Sequence, residues 1–192
     1  MKKIVVIVGH PNKDSFAGSV AESYKKGALK SKFKVDVIYL GELKFNLLLE
    51  KGYKEVQKME KDLIEATRKI VEADHLVFAY PIWWGGVPAI LKAFIERVFL
   101  PGVAFKYRQG NPIPERLFKG KTARLLVNMD APVFWHKAVI GAAGERMLKK
   151  AVLEYCGVKT LGVNYFGEIR KSSIEKRERW MKEVFELGKR GI

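Results

Sequence analysis

Short apolar runs that suit a buried strand alternate with stripes at helical spacing along most of this chain, and that alternation narrows the fold more than any other feature. Ile4–Val8 is a continuous β-branched run, as expected of a parallel strand covered on both faces. From Ser15 to Lys30, Phe16, Val20, Tyr24 and Ala28 recur at every fourth position, a helical stripe. Val35–Leu40 reads as a second strand. Tyr53–Glu72 reads as a charged helix with Val56, Met59, Leu63, Ile70 and Val71 available for one face. Leu76–Ala79 is a third strand, and Val87–Phe99 a helix opened by Pro88, where a missing N–H costs nothing. Arg124–Asn128 is a fourth strand, Ala138–Cys156 a helix and Val158–Tyr165 a fifth strand. Ser173–Lys189 is a last helix, with Trp180, Val184 and Leu187 inward. Strands alternating with helices predict an α/β fold, a doubly wound five-stranded parallel sheet of order 2-1-3-4-5 with helices on both faces. The turn after the first strand, GHPNKDS, holds one glycine, so the dinucleotide fingerprint G-x-G-x-x-G is absent. Pro101–Lys119, with Pro101, Gly102, Gly110, Pro112 and Pro114, reads as a long loop with no element of its own.

A length of 192 residues predicts one domain spanning residues 1–192, and 48% hydrophobic residues suffice for a sizeable core. No run of uncharged apolar residues is long enough to cross a bilayer, so no membrane insertion is expected. The run Ile4–Val8 is too short for an export signal. Cys156 is the only cysteine, which excludes an internal disulfide and a cysteine metal pair and points to a reduced, cytoplasmic protein. Standing before Gly157 at a helix end, it reads as a small buried hydrophobe. The net charge of +15 has three readings: a solvated Lys/Glu surface, steering of anionic ligands, or a nucleic-acid footprint. The basic residues are scattered and no nucleic-acid motif accompanies them, so no nucleic-acid partner is expected.

In a doubly wound sheet, ligands bind beyond the carboxyl ends of the strands, near the point where strand order reverses. The segments after strands one, three and four therefore belong together. The first runs from Gly9 to Phe16; Ser15 or Asp14 caps the helix, while backbone N–H groups, His10 and Lys13 suit a phosphate. The second is Tyr80-Pro81-Ile82-Trp83-Trp84-Gly85-Gly86-Val87-Pro88. Paired tryptophans and glycines there supply flat walls and close backbone approach for a planar ligand. The third, Met129-Asp130-Ala131-Pro132-Val133-Phe134-Trp135-His136, is also rich in aromatics, and its N–H groups suit the charge that develops on a reduced flavin ring.

These loops resemble those of the DT-diaphorase-like NAD(P)H:quinone oxidoreductases, a branch of the flavodoxin-like superfamily. The segment YPIWWGGVPAILKAFIERVFLPGVAFKY, Tyr80 to Tyr107, is the most specific part, joined by GHPNKDSF and by Leu117–Lys121. The resemblance implies a flavodoxin-like domain with bound FMN (FAD being the alternative) and NAD(P)H as co-substrate. It places His10, Ser15, Phe16 and Ala17 at the flavin's phosphate-bearing tail. Pro81, Ile82, Trp83, Trp84 and Gly85 fall along the ring edge, and Met129, Asp130, Ala131 and Pro132 at its pyrimidine side. It also implies a homodimer with the site at the interface, which the nearly all-round apolar helix Val87–Phe99 suits. Ala17 stands where relatives often carry asparagine, Gly85 where some carry an aromatic, and MDAPVFW where others have a glycine-rich loop. No Tyr/His proton relay transfers, and His136 is expected at the surface. The short segment after the last helix favours FMN over FAD.

The implied reaction is a hydride relay from NAD(P)H through flavin to a quinone-like acceptor, with both substrates using one site in turn. No side chain serves as an obligatory catalytic group. Trp84, Phe105, Trp135 and His136 are the expected walls of the acceptor pocket. Two other classes stay open: an electron-transfer flavoprotein without a substrate pocket, and a flavin-binding ancillary subunit of a transport system.

Overall fold

The computed structural model describes every residue except Tyr53 and Val56. Lys3–Val8 (β1), Lys34–Tyr39 (β2), His75–Pro81 (β3), Thr122–Asn128 (β6) and Lys159–Phe166 (β7) form one parallel sheet in the order β2-β1-β3-β6-β7. Set apart from the hairpin described below, this is the predicted 2-1-3-4-5 order. The strands run as continuous apolar stretches because both faces are covered. Val5 and Ile7 join one core with Leu76, Phe78 and Tyr80, while Ile4, Val6 and Val8 join the other with Val77 and Ala79.

Phe16–Lys30 (α1) and Ile174–Arg190 (α6) cover the second of those faces. They approach so closely that a Cβ on Gly27 would meet the Phe185 carbonyl oxygen at 2.0 Å, and one on Gly188 the Tyr24 carbonyl oxygen at 2.1 Å. Lys61–Glu72 (α2), Ala89–Val98 (α3) and the helical stretch beginning at Ala143 cover the other face. No helix among the described residues is long and apolar enough to cross a membrane.

Three expectations need correction. The helix expected over Tyr53–Glu72 begins only at Lys61. Tyr53 and Val56 lie outside the described residues, and the rest of the stretch before Lys61 is non-helical. Polar side chains fold that stretch onto itself: Glu60 Oε1 accepts from the Asn46 N–H at 2.9 Å and Gln57 Oε1 from the Glu50 N–H at 3.0 Å. These tertiary bonds outweigh a weak helical stripe. Within α2, Leu63 and Ile70 are buried, but Val71 faces solvent.

The second correction concerns Pro101–Lys119, which contains an antiparallel hairpin, Phe105–Arg108 (β4) and Asn111–Arg116 (β5), turning at Gly110 with φ +73°. A two-stranded ribbon has only edge strands, so Pro112 and Pro114 are tolerated where a central strand would exclude them. The third is the helix expected over Ala138–Cys156. A short helix, Val133–Ala138 (α4), ends before left-handed Gly141 and Ala142. Ala143–Arg146 (α5) then starts anew and runs into a π-helical turn, Met147–Glu154.

Arg97 on α3 is 1% exposed and ties the irregular stretch before α2 to the core. Its guanidinium donates to the carbonyls of Asn46 (2.7 Å) and Lys58 (3.1 Å) and to Glu60 Oε2 (2.8 Å). Burial pushes the Glu60 carboxyl up, but N–H donors and the Arg97 bond and charge together hold it below its usual value. A depressed carboxyl pKa adds stability above the unfolded value, and this is lost as pH falls through the folded one. Arg97→Ala is expected to cost about 2–3 kcal/mol in urea unfolding at neutral pH, because it removes a buried side chain together with its hydrogen bonds to Asn46, Lys58 and the part-exposed Glu60. The deficit should shrink as the solution is acidified.

Cys156 is buried as expected, and burial pushes its thiol up to about 12. At pH 8 the folded protein should react with a disulfide reagent more than about a hundredfold slower than the urea-unfolded chain.

Candidate functional site

The register of the central strands decides where the site lies. Pro81 pairs with Asn128, and Asn128 with Phe166. Beyond those rungs the Ile82 N–H donates to the Asn128 carbonyl at 2.8 Å, and the Met129 N–H to the Phe166 carbonyl at 2.9 Å. The loops after β3, β6 and β7 therefore leave the sheet at one level and bound a cavity of about 690 Å³. That volume suits a small-molecule or cofactor site.

After β3, Trp83 and Gly86 exchange both backbone hydrogen bonds at 3.0 Å, closing a two-residue hairpin over Trp84 and Gly85. Both central residues have positive φ, +50° and +75°, as a type I′ turn requires. Gly85 meets this without strain, whereas Trp84 adopts it with a large side chain that stands wholly exposed. The loop after β6 closes on this turn. Ile140 Cγ2 would lie 3.1 Å from a Cβ on Gly85, and a Cβ on Gly144 would lie 3.1 Å from the Gly86 backbone.

Pro81, Ile82, Trp83, Trp84 and Gly85 all border the cavity, as do Met129, Asp130, Ala131, Trp135 and His136. Other expected site residues stand elsewhere. His10 reaches the site only through its ring, edge-on to Trp83 at 5.2 Å. Ser15 Oγ is occupied as the α1 cap, accepting from the Gly18 N–H at 3.2 Å. Phe16 packs against Phe166 and Trp180, Ala17 is core, and Pro132 caps α4. Lys13 turns away to pair with Glu42 at 2.8 Å. Phe105 is buried on β4 against Tyr107 and Tyr155, apart from its own chain's cavity.

The expectation of a surface His136 fails. Its side chain is 2% exposed, and Nε2 sits 2.8 and 2.9 Å from the two carboxylate oxygens of Glu145, itself buried. The break between α4 and α5 makes this contact possible, since the chain reverses at Gly141 and Ala142 and brings α5 back beside α4. Tyr165 joins the cluster: burial first, then a hydrogen bond to Glu145, holds its phenol above the usual value. Burial likewise raises Tyr80, whose hydroxyl has no partner among the described residues.

Four wall residues were not expected: Asn128, Ile140, Ile169 and Arg170. The last two follow β7, whose carboxyl end lies beside that of β6, so extending the strand-end rule by one strand would have found them. Glu145, inside a presumed continuous helix, gave no signal.

A planar, hydrogen-bonding ring such as a flavin fits these residues. The N–H groups of Ile82, Trp83 and Met129 are spent within the protein. Those of Trp84, Gly85, Asp130 and Ala131 have no partner among the described residues, and they lie on opposite loops of the cavity. Asn128 Oδ1 is buried at the wall without a partner.

Residues 2–187 match the family model described as flavodoxin-like fold. An uncharacterized NAD(P)H oxidoreductase of Haemophilus influenzae is 28% identical over 185 residues, covering 89% of this chain and 90% of the relative. A mouse protein named ribosyldihydronicotinamide dehydrogenase [quinone] is 27% identical over 206 residues, covering 92% and 86%. Among solved structures, an FMN-dependent NADH-azoreductase of Bacillus anthracis in complex with FMN superposes with a TM-score of 0.77. It covers 99% of each chain at 15% identity, a likeness of fold.

The buried pair should matter to stability. Glu145→Ala leaves His136 without its partner and is expected to cost about 3 kcal/mol in urea unfolding. Glu145→Gln, which keeps a hydrogen-bonding group there, should cost less than half as much.

Proposed function

We propose that this chain, which belongs to the flavodoxin-like fold family, is a flavin-dependent oxidoreductase that takes hydride from NAD(P)H and passes two electrons to a quinone-type acceptor. The observation that carries the reading is the convergence of the Trp83–Gly86 turn and the Asp130–Ala131 segment on one cavity, each bringing two backbone N–H groups that have no partner among the described residues. Relatives whose names specify NAD(P)H oxidoreductase and quinone dehydrogenase activity support the same class.

Bound flavin supplies the two-electron chemistry, accepting hydride and releasing it to an acceptor. The chain supplies position and electrostatics. Trp83 and Trp84 would wall the ring, and the Trp84 and Gly85 N–H groups would bond its edge. The Asp130 and Ala131 N–H groups would bond the side of the ring where negative charge accumulates on reduction, which would favour the reduced form. His10 and the backbone at the start of α1 would receive the phosphate-bearing tail, the Ser15 hydroxyl and the Lys13 ammonium being engaged within the chain, with FMN the preferred cofactor. Trp84, Trp135 and His136 border the space left for nicotinamide and then for the acceptor. That shared space gives ping-pong kinetics.

The protein acts as one flavin-binding domain in a cytoplasmic homodimer. Exposed Trp84, Phe134 and Val139 by the cavity support a second copy covering its mouth.

The test starts with protein incubated with FMN or FAD and freed of excess by gel filtration. It is expected to keep one flavin per chain, seen by visible absorption. Steady-state NAD(P)H oxidation against varied quinone should give parallel double-reciprocal lines. Intersecting lines would sink the shared site, and failure to retain either flavin would sink the reading as a whole.

A further inference from the structure

Among the described residues that border the cavity, Arg170 is the only lysine or arginine. It lies in a short 3-10 turn, Ile169–Lys171, after β7. The turn is fixed from several sides. Glu168 enters it with φ +57°, and the Ile169 N–H donates to the Met129 carbonyl at 3.3 Å. Arg177 on α6 donates to the Ile169 carbonyl at 2.7 Å and to Ser172 Oγ at 2.8 Å. Asp130, across the cavity rim, accepts from the Arg170 backbone N–H at 3.0 Å and pairs with Nε at 3.0 Å.

This clasp aims the guanidinium without consuming it. Asp130 engages the Nε side, and the two Nη groups have no partner among the described residues. The Arg170 side chain is 88% exposed and the residue borders the cavity, so its Nη groups are open to solvent and to a ligand there. Stability does not explain such an arrangement, because an exposed ion pair contributes little. A planar fork with its free edge held at a cavity rim is suited to the oxygens of a phosphate.

We propose that Arg170, oriented by Asp130, binds a phosphate of the hydride donor, so that this site takes a phosphorylated nicotinamide nucleotide in preference to a phosphate-free dihydronicotinamide riboside. The inference rests on the hydride-donor reading above. It addresses a choice that the relatives leave open, since one is named for NAD(P)H and another for ribosyldihydronicotinamide. A flavin nucleotide also carries phosphate, so the test separates the two sources.

Arg170→Gln keeps the backbone bond to Asp130 and therefore the turn. With flavin-loaded protein, its KM for NAD(P)H is expected to rise about tenfold while its KM for dihydronicotinamide riboside stays unchanged. Flavin stoichiometry should equal that of the wild type. Binding of ADP-ribose to the protein as purified, followed by calorimetry, should weaken about tenfold. Equal effects on both donors, loss of flavin from the variant, or undiminished ADP-ribose binding would each overturn the assignment. If the wild type oxidises neither donor, the functional reading fails. The ADP-ribose titration still reads the phosphate contact by itself.

Discussion

The hydrogen-bond ladder joining β3 to β6 and β6 to β7 is the constraint on which the site depends. Parallel strands keep their register rung by rung, and a slip of one residue would move every side chain to the opposite face. Here β3 alternates Leu76, Phe78 and Tyr80 toward one core with Val77 and Ala79 toward the other, and both cores are closed by helices. Register is therefore fixed twice over, by burial on each face. The outcome at the carboxyl end is that Pro81, Asn128 and Phe166 form one level row. The cavity is bordered by Pro81 and Asn128 of that row, by chain that has just passed it, and by α4 with Ile140 beyond it. Placement of the walls is thus a by-product of core packing, with loop residues free to carry chemistry.

Beneath the apolar walls lies a polar layer that burial alone would not tolerate. A buried carboxylate or imidazole is costly unless it is paired, and His136 and Glu145 answer each other's requirement. Tyr165 lies beside the pair, its ring 6.3 Å from that of His136. The pair also does geometric work. It crosses the reversal at Gly141 and Ala142, so α4 cannot swing away from α5 without breaking it. Since Trp135 and His136 on α4 border the cavity, the same contact that satisfies two buried groups fixes one side of the site.

Where a pattern is local and repeated, it was legible in the chain. The β-branched runs Ile4–Val8 and Leu76–Ala79 needed no context, and their alternation with helical stripes led to the observed strand order. The paired tryptophans and glycines after β3 stood out because packing inside an element could not account for them. What escaped was set by contacts distant in sequence. The polar bonds that Glu60 makes to Asn46, and Arg97 to both, leave no periodic trace. Neither does the His136–Glu145 pair, which depends on two left-handed residues, one of them an alanine. The hairpin at Phe105–Arg116 was hidden by prolines that are unfavourable in a central strand but harmless at an edge.

Trp84 sharpens the division between stability and purpose. A left-handed backbone costs an ordinary L-residue about 1–2 kcal/mol relative to the right-handed one, and glycine or asparagine would avoid most of that cost. The turn's own two hydrogen bonds hold Trp84 in this conformation, and its indole recovers no burial in return, since it stands fully exposed. A residue that is strained and unburied contributes nothing to the folded chain that a smaller one would not contribute better. Its surroundings point the same way: its own N–H and that of Gly85 have no partner among the described residues, and Trp135 on the loop opposite borders the same cavity. Backbone strain at such a position is the kind retained where a surface must present a particular shape to something else. The physical account of Trp84 is therefore completed only by a partner with a broad flat face, and the cavity beside it has the dimensions for one.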